Sequence, residues 1–551
     1  MKVRTDLIRH AKTIHTWVGI SAGILLFICF FAGGLSMFQH QLSQWATPAA
    51  QRLAPIELHQ YNALVDKVQA EYPETRKSFQ LNLASEEFHY APMQWQGTSN
   101  TANDDHGIDL YQNTMLATLD AQANLQVEQQ NLSKLGWLVE QLHETAGIPG
   151  SVDDHTLGMY VMGVVAVLYF LAIMSGLVVL LPTLVKDFFA IRAGKNKKRF
   201  WLDAHNVVGI TSLPFHIIVC VTVISFAFHD LIYDAVGGLI SKDKPLSARP
   251  VAAKLVDPVD RLDVEKIFAR IQQQAPEYQI SSISFNHLDK PEKASARVNL
   301  YSADQMLRGD RFDVMVLNPY QTQPYKTNNL NTHAKPMDQV IRSMFSLHFG
   351  NYGGEFTRWL YFIFGIGGAF LFYSGNILWI ESRMKRQKNL DLPIHQQRTD
   401  VRLVANLTIG TCLGCILAIS LSMLVGRWSS VLGLSLQSVN HLLVYSYYLV
   451  FLVSIVYSFV LGAAKALPHL LLAIAATLLI LPLSFILAWF GSSGMPLWWI
   501  EGVIALVGLV FLRFYMQAKH RRDQAPLGSL WSNQPYLEPD KPTVMKDSAA
   551  S

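Results

Sequence analysis

Eight long runs of apolar residues alternate with polar segments along the 551-residue chain. Each run is near or above the ~20 residues that an α-helix needs to cross the hydrocarbon core of a bilayer. The pattern therefore predicts a polytopic α-helical membrane protein with about eight transmembrane helices, numbered 1 to 8 in chain order. The approximate limits of the runs are 15–38, 157–184, 205–229, 356–380, 403–425, 440–463, 467–490 and 497–515.

Two of the polar segments, about 40–155 and 230–355, are too long to be simple loops. Each begins with a helix-like periodicity and continues with strand-like alternation, which is typical of a small α+β unit. We therefore expect two such domains, one inserted between helices 1 and 2 and one between helices 3 and 4. The predicted helices are 57–72 and 260–274, and the strand-like stretches are 78–96, 108–127, 279–287, 295–301 and 311–317.

Lys and Arg are concentrated at one set of helix ends, in the flanks 1–12, 186–199, 383–402 and 513–522. By the positive-inside rule these flanks are cytoplasmic. Both termini are then predicted to be cytoplasmic, and the two long polar segments lie outside. The net charge of only +4 gives no indication of a nucleic-acid partner. The four cysteines all lie in apolar runs, which excludes a disulfide framework in the outer domains.

The first four helices are the two halves of an internal repeat, which is the strongest pattern in the sequence. Each half opens with HxxxG at the start of an apolar helix, makes its polar excursion, returns with Leu-His and glycines, and enters a helix that contains Ser-Gly. The matched positions are His15 and His205, Gly19 and Gly209, Leu142-His143 and Leu347-His348, and Ser175-Gly176 and Ser374-Gly375.

The repeat places four histidines at equivalent positions, two at each membrane face. Helices 1–4 have almost no other ionisable groups in their apolar spans, which argues against an ion-coupled transporter. Neutral imidazole is a good axial ligand for iron, and helix-bundle cores are a usual place for haem. We therefore predict two bis-histidine haems, one on His15 and His205 and the other on His143 and His348. Ten glycines would make room for a porphyrin or a close helix crossing: Gly19, Gly23, Gly33, Gly34, Gly176, Gly209, Gly365, Gly367, Gly368 and Gly375.

Helix 3 offers two alternative ligands. His216 follows His205 by eleven residues, which on a straight helix is about 16 Å further along and about 20° round, on the same face. It is a candidate ligand at mid-membrane depth. His229, near the outer end of the helix, could replace His143 or His348. His40 and His155 are weaker outer candidates.

These motifs resemble the PepSY-associated transmembrane proteins over about residues 1–390, and both halves match in order. The resemblance implies a bacterial inner-membrane protein with two PepSY-like periplasmic domains. Some relatives are ferric-siderophore reductases that carry b-type haem in the four-helix core, with His15, His143, His205 and His348 at the recurring histidine positions. The expected organisation is helix 1 at 1–39, the first PepSY-like domain at 40–155, helices 2 and 3 at 156–229, the second PepSY-like domain at 230–354, helix 4 at 355–382, a cytoplasmic loop at 383–402, an added four-helix segment at 403–516 and a cytoplasmic tail at 517–551.

The leading hypothesis is a haem b oxidoreductase that carries electrons outward across the membrane for iron acquisition. The inner haem would be reduced by a cytoplasmic or quinol donor, because the chain has no recognisable nucleotide-binding motif. The outer haem would reduce a ferric siderophore or another ferric chelate. A second hypothesis is a non-enzymatic membrane protein whose PepSY-like domains bind or regulate a periplasmic partner. A third is a siderophore or metal permease.

Overall fold

The computed structural model of the chain describes residues 4–47, 52–84, 89–97, 114–129, 133–152, 155–184, 192, 197–228, 262–321, 325, 330–331, 336–385, 397–432, 434, 436–484, 498–526 and 528–532. Its α-helices are α1 (Thr5–Ser36), α2 (Gln39–Ala46), α3 (Tyr61–Glu71), α4 (Leu135–Thr145), α5 (Leu157–Leu180), α6 (Lys197–Thr211), α7 (Leu213–Ala227), α8 (Val264–Gln274), α9 (Pro336–Phe349), α10 (Gly354–Arg383), α11 (Thr399–Thr408), α12 (Gly414–Val431), α13 (Leu436–Leu461), α14 (Ala463–Ile480) and α15 (Trp498–Asp523).

The described strands form one large sheet and one short hairpin. The strands are β1 (Phe79–Asn82), β2 (Met93–Gln96), β3 (Thr114–Leu119), β4 (Leu125–Gln129), β5 (Ser151–Val152), β6 (His155–Thr156), β7 (Gln279–Asn286), β8 (Ser295–Tyr301) and β9 (Asp313–Leu317). The large sheet is antiparallel with the order β4-β3-β2-β1-β7-β8-β9, and β5 pairs with β6.

Among the described residues, seven helices are long and apolar enough to cross a bilayer: α1, α5, α10, the continuous stretch Thr399–Ser429, α13, α14 and α15. The stretch Thr399–Ser429 joins α11 to α12 through a π-helical turn, Ile409–Leu413. The bent pair α6 and α7 makes an eighth candidate span. The structure is therefore that of a multi-pass membrane protein, in agreement with the eight apolar runs.

The third span is broken at Ser212, and α6 and α7 are inclined to each other by 65°. Pro214 lies in the first turn of α7. Proline lacks an N–H and its ring clashes with the preceding turn, so it is accepted at the start of a helix and interrupts a continuous one. The straight-helix estimate that put His216 about 16 Å beyond His205 on the same face is therefore wrong, because the two residues lie on differently directed helices.

The two polar excursions meet in a single sheet. Strand β1 of the first excursion pairs with β7 of the second, with Phe79 opposite Phe285 and Leu81 opposite Ile283. These four side chains are buried in one core together with apolar residues of α3 and α8. The sequence pattern predicted two α+β units of this kind, and the structure shows that they share a sheet and a core. Each unit is small, so this shared core is what allows either to bury enough apolar surface.

Helices α11–α15 pack beside the repeated helices and contain a buried ion pair. Arg427 of α12 lies 3.0 Å from Glu501 of α15, and both side chains are almost fully buried. Trp45 of α2 completes the group, since its Nε1 donates to Glu501 Oε1 (2.7 Å) and its carbonyl accepts from Arg427 Nη1 (2.7 Å). A buried pair of charges is tolerated only when such additional hydrogen bonds satisfy it.

Candidate functional site

The structure brings the four repeat histidines together as two pairs. The rings of His15 and His205 have their centres 6.4 Å apart, with planes inclined by 77°. The rings of His143 and His348 have their centres 6.2 Å apart, with planes inclined by 26°. These are the pairings that the repeat predicted. We call them the first pair and the second pair.

The first pair sits where α1 and α6 meet the Ser-Gly motifs of α5 and α10. His15 Nδ1 donates to the carbonyl of Ala172, at 2.8 Å. His205 Nδ1 lies 2.9 Å from Ser374 Oγ. The Ser374 hydroxyl itself donates to the Leu371 carbonyl (3.1 Å), so its oxygen accepts from His205. The carbonyl partner requires a proton on Nδ1 of His15, and the same tautomer of His205 is compatible with a Ser374 hydroxyl that donates to Leu371.

The second pair is formed by helices that return from the sheet. His143 is in the last turn of α4, and its Nδ1 donates to the carbonyl of Cys29 at 3.0 Å. His348 is in the last turn of α9, with Nδ1 3.0 Å from Thr222 Oγ1. The Thr222 hydroxyl donates to the Val219 carbonyl (2.9 Å), so its oxygen accepts from His348. Cys29 and Val219 are equivalent positions of the repeat, fourteen residues after His15 and His205.

These hydrogen bonds determine what the imidazoles can do. A neutral imidazole with its proton on Nδ1 has a lone pair on Nε2. Within the described part of the chain, no hydrogen bond occupies Nε2 of His15, His143, His205 or His348. Metal-binding histidines almost always donate their other N–H to an oxygen in this way, which fixes the tautomer and the ring orientation.

The ring separations also suit a shared metal ion. An imidazole nitrogen lies about 2.0–2.1 Å from a first-row metal, and the ring centre lies about 1.1 Å beyond that nitrogen for ring bonds of about 1.35 Å. Two imidazoles on opposite sides of one metal then have centres about 6.2 Å apart. Both observed separations match this value. Two neutral imidazoles at this separation therefore fit the set of protein ligands that a haem iron would take.

Glycines allow the rings to lie against the helices. A Cβ at Gly33 would come within 2.5 Å of His143 Nδ1, and one at Gly176 within 2.9 Å of His15 Nδ1. Gly375 is the repeat equivalent of Gly176, and a Cβ there would lie 3.6 Å from His205 Cε1. A Cβ at Gly19 would meet nothing within 4 Å. The sequence pattern indicated room for a cofactor, and the structure assigns three of these glycines to the imidazoles themselves.

A cavity of about 790 Å³ adjoins the second pair. This volume lies within the range of about 300–1,000 Å³ that is usual for ligand and cofactor pockets. It is lined by apolar residues of the helices and by residues of the sheet domain at 307 and 309–312. Charged side chains of both signs also line it: Glu140, Glu144, Asp310, Arg311, Glu355 and Arg358. The second pair is therefore connected to the side of the molecule that carries the sheet.

His216 belongs to neither pair. It is 2% exposed and neither ring nitrogen has a hydrogen-bond partner among the described residues. Its neighbours are aromatic, with ring centres of Phe30, Phe215 and Tyr169 at 5.4, 5.4 and 6.1 Å. His216 stays a second-rank candidate ligand. His229, the other second-rank candidate, lies outside the described residues.

Sequence reasoning missed the groups that hold α9 to the sheet. Arg342 of α9 pairs with Asp313 of β9, and both side chains are 1% exposed. Tyr278 donates to the other Asp313 oxygen at 2.7 Å, and burial, followed by this bond, raises the pKa of the tyrosine. The signal in the sequence was a lone arginine six residues before His348. It has no counterpart in the first half, so the repeat could not reveal it.

Comparison with protein families gives the identity of the repeated part. The model of the PepSY-associated TM region matches residues 12–382. The chain belongs to this PepSY-associated TM family. The match contains all four paired histidines and both excursions, and it ends at the last residues of α10. No curated protein matches the chain. Helices α11–α15 lie beyond the PepSY-associated TM match, as the resemblance over about residues 1–390 predicted.

Proposed function

We propose that this PepSY-associated TM protein is a b-type haem oxidoreductase of the bacterial inner membrane, which passes electrons across the bilayer to a ferric chelate in the periplasm. The observation that carries the proposal is the arrangement of two histidine pairs at metal-sharing separations of 6.4 and 6.2 Å. His15 and Cys29 both lie on α1, fourteen residues or about 21 Å apart along the helix. The two pairs therefore lie at different depths, as transfer across a membrane requires.

Each imidazole pair would hold one haem b, with His15 and His205 in one site and His143 and His348 in the other. Bound haem supplies one-electron redox chemistry. The chain supplies neutral Nε2 donors, because Ala172, Ser374, Cys29 and Thr222 hold the Nδ1 protons. These outer partners fix the rings before any cofactor arrives, which lowers the entropic cost of binding.

The cavity beside the second pair is the proposed approach for the substrate. It is lined by residues of both the membrane helices and the sheet domain, and these include charges of both signs. A ferric siderophore presents hard oxygen ligands and often a net charge, so a lining with charges of both signs can orient it. Reduction to Fe(II) weakens the hold of oxygen ligands on the metal. The chelator would then release the iron on the sheet side.

The first pair lies at the end of the helices that carries most of the Lys and Arg. Under the positive-inside rule this end faces the cytoplasm, together with both termini. A cytoplasmic or quinol donor would reduce the protein there. Between the two pairs, Phe30, Tyr169, Phe215 and Phe372 pack against one another with ring centres 5.3–6.4 Å apart. These rings form a largely apolar aromatic layer within the bundle.

Re-oxidation of the reduced protein tests the proposed activity. Purified protein would be reduced with dithionite, freed of excess reductant under anaerobic conditions and mixed with a ferric hydroxamate chelate. A chromogenic Fe(II) chelator would record the product. We expect stoichiometric Fe(II) formation, and we expect the His143→Ala variant to form it far more slowly. A reduced wild-type protein that no hydroxamate, catecholate or citrate chelate of Fe(III) re-oxidises would contradict the proposal.

A further inference from the structure

Helices α11–α15 have no counterpart in the repeat and lie outside the family match. We propose that they position His143, by holding both ends of the short helix α4. This inference rests on the proposed function in that it treats His143 as an axial ligand. It assigns a role to a segment whose sequence gives no chemical motif.

The N-terminal end of α4 is bonded to α13. The first N–H groups of any helix lack partners within the helix and need external acceptors. Here the Lys134 N–H donates to Asn440 Oδ1 at 2.9 Å, across 306 positions of sequence. Asn440 is 3% exposed, so this bond is shielded from water. One of the acceptors at the start of α4 is therefore supplied by a membrane helix of the added segment, while Ser133 and Ser43 accept from the next two N–H groups.

The C-terminal end of α4 is bonded to the same helix. After His143 the chain turns through Ala146 and Gly147, both with positive φ. The carbonyl of Gly147 accepts from the hydroxyl of Tyr448, at 3.2 Å. Asn440 and Tyr448 are eight residues apart, or about 12 Å along α13, which is close to the roughly 16 Å length of α4. Helix α13 is thus hydrogen-bonded to both ends of α4.

A second connection reaches α4 through α2. The hydroxyl of Ser43 accepts from the Gly136 N–H at 3.1 Å, and Gly136 lies against the carbonyl of Gln39, so a side chain would not fit between the helices. The last turn of α2 contains Trp45, which is fixed by Arg427 and Glu501 of the added segment. Two separate sets of polar contacts therefore lead from α11–α15 to the helix that carries His143, one directly and one through α2.

The full-length protein with Asn440→Ala and Tyr448→Phe combined tests this inference. Tyr445→Phe is the matched control, because Tyr445 is on the same helix but 66% exposed on its outer face. Amide hydrogen exchange would be followed in α4 and in α9. Redox titration with absorption and electron paramagnetic resonance spectra would follow each haem separately.

We expect exchange in α4 to become about tenfold faster, the factor that corresponds to ~1.4 kcal/mol, while exchange in α9 stays unchanged. We also expect the midpoint potential and the low-spin signal of one haem to shift while the other haem keeps its values. The inference would be overturned if the double variant had the same exchange rates and the same signals for both haems as Tyr445→Phe. Faster exchange in α4 with neither haem affected would also overturn it, since the contacts would then be only structural. A colourless wild-type protein would instead refute the proposed function, and the exchange of α4 would still decide whether the added helices hold it.

Discussion

Helices α4 and α9 are equivalent parts of the repeat, yet different regions of the molecule hold them in place. Each ends with Leu-His and contributes one imidazole to the second pair. Helix α4 is bonded to the membrane segment through Asn440 and Tyr448. Helix α9 is bonded to the sheet through Arg342 and Asp313. The repeat thus specifies the histidines, whereas the contacts that hold α4 and α9 differ between the two halves. A ligand on the sheet would affect His348 first, and a partner of the added helices would affect His143 first.

The largest expected effect concerns the pairing itself. We predict that His143→Ala and His348→Ala each remove about half of the bound haem, because one ligand of a bis-histidine site is not enough to retain it. The double variant should lose no more than either single variant, since both residues serve one site. Combining His143→Ala with His15→Ala should remove nearly all of it. Haem per chain would be measured by the pyridine haemochrome method. If the losses of His143→Ala and His348→Ala added up in the double variant, the pairing would be contradicted.

Disruption of the Arg342–Asp313 pair, which anchors α9 to the sheet, should have the next largest effect. Arg342→Met would leave Asp313 buried without its cation, and removing one partner of a buried pair typically costs about 3–5 kcal/mol. We expect the unfolding temperature to fall and exchange in α9 to rise, with α4 little changed. The double variant Arg342→Met with Asp313→Asn should recover part of the loss, because no charge remains unpaired. A single variant as stable as the wild type would show that the pair does not anchor α9.

Much of this architecture was visible in the sequence, and each part that was not has its own physical reason. Hydrophobic run length indicated the eight candidate spans, and the repeat indicated the pairing of His15 with His205 and of His143 with His348. The pairing of β1 with β7 was not predictable, because strand alternation defines a face but not a neighbour. The bend at Ser212 was not predicted, because a proline that starts a helix and a proline that breaks one look alike in an apolar run. The contacts of Arg427 and Glu501 join residues far apart in the chain, and no periodic pattern records them.

The glycines beneath the imidazoles offer a smaller and more local change. Gly33→Ala places a methyl group 2.5 Å from His143 Nδ1, so the ring must move away from Cys29. Overpacking of this kind costs typically 1–3 kcal/mol. Gly176→Ala should disturb His15 in the first pair, and Gly19→Ala, which meets nothing within 4 Å, is the control. We expect the first two variants each to alter the spectrum of one haem. An altered spectrum in Gly19→Ala would count against this explanation.

The smallest expected effect distinguishes α3 and α8, the helices that share a core with the sheet. Asp263 caps α8 by accepting from the Lys266 N–H, whereas the N-cap of α3 makes no side-chain bond to that helix. The Lys266 side chain, with smaller contributions from that cap and Asn62, lowers the pKa of Asp263. Asp263→Ala should cost about 1 kcal/mol at neutral pH.

The pH dependence of this cost has a definite sign. Because the folded-state pKa of Asp263 is below its unfolded value of about 3.9, the stabilisation is present above that pH. It is lost as the pH falls through the folded-state pKa. Stability curves of wild type and Asp263→Ala should therefore converge in acid. Asp263→Asn, which retains an acceptor oxygen, should cost less at neutral pH, and the wild-type advantage over it should shrink over the same acidic range, because only the wild type titrates at this position. Parallel curves for Asp263→Ala down to pH 2 would contradict the assignment.

The central claim is that the two histidine pairs hold two haems, and an absorption spectrum of the detergent-purified protein tests it most directly. The protein would be expressed with ample haem and recorded oxidised and then dithionite-reduced, with haem and protein quantified in the same sample. We predict sharp reduced b-type bands and about two haems per chain. A colourless protein would contradict the account, and the binding or regulation of a periplasmic partner by the sheet would then become the leading hypothesis.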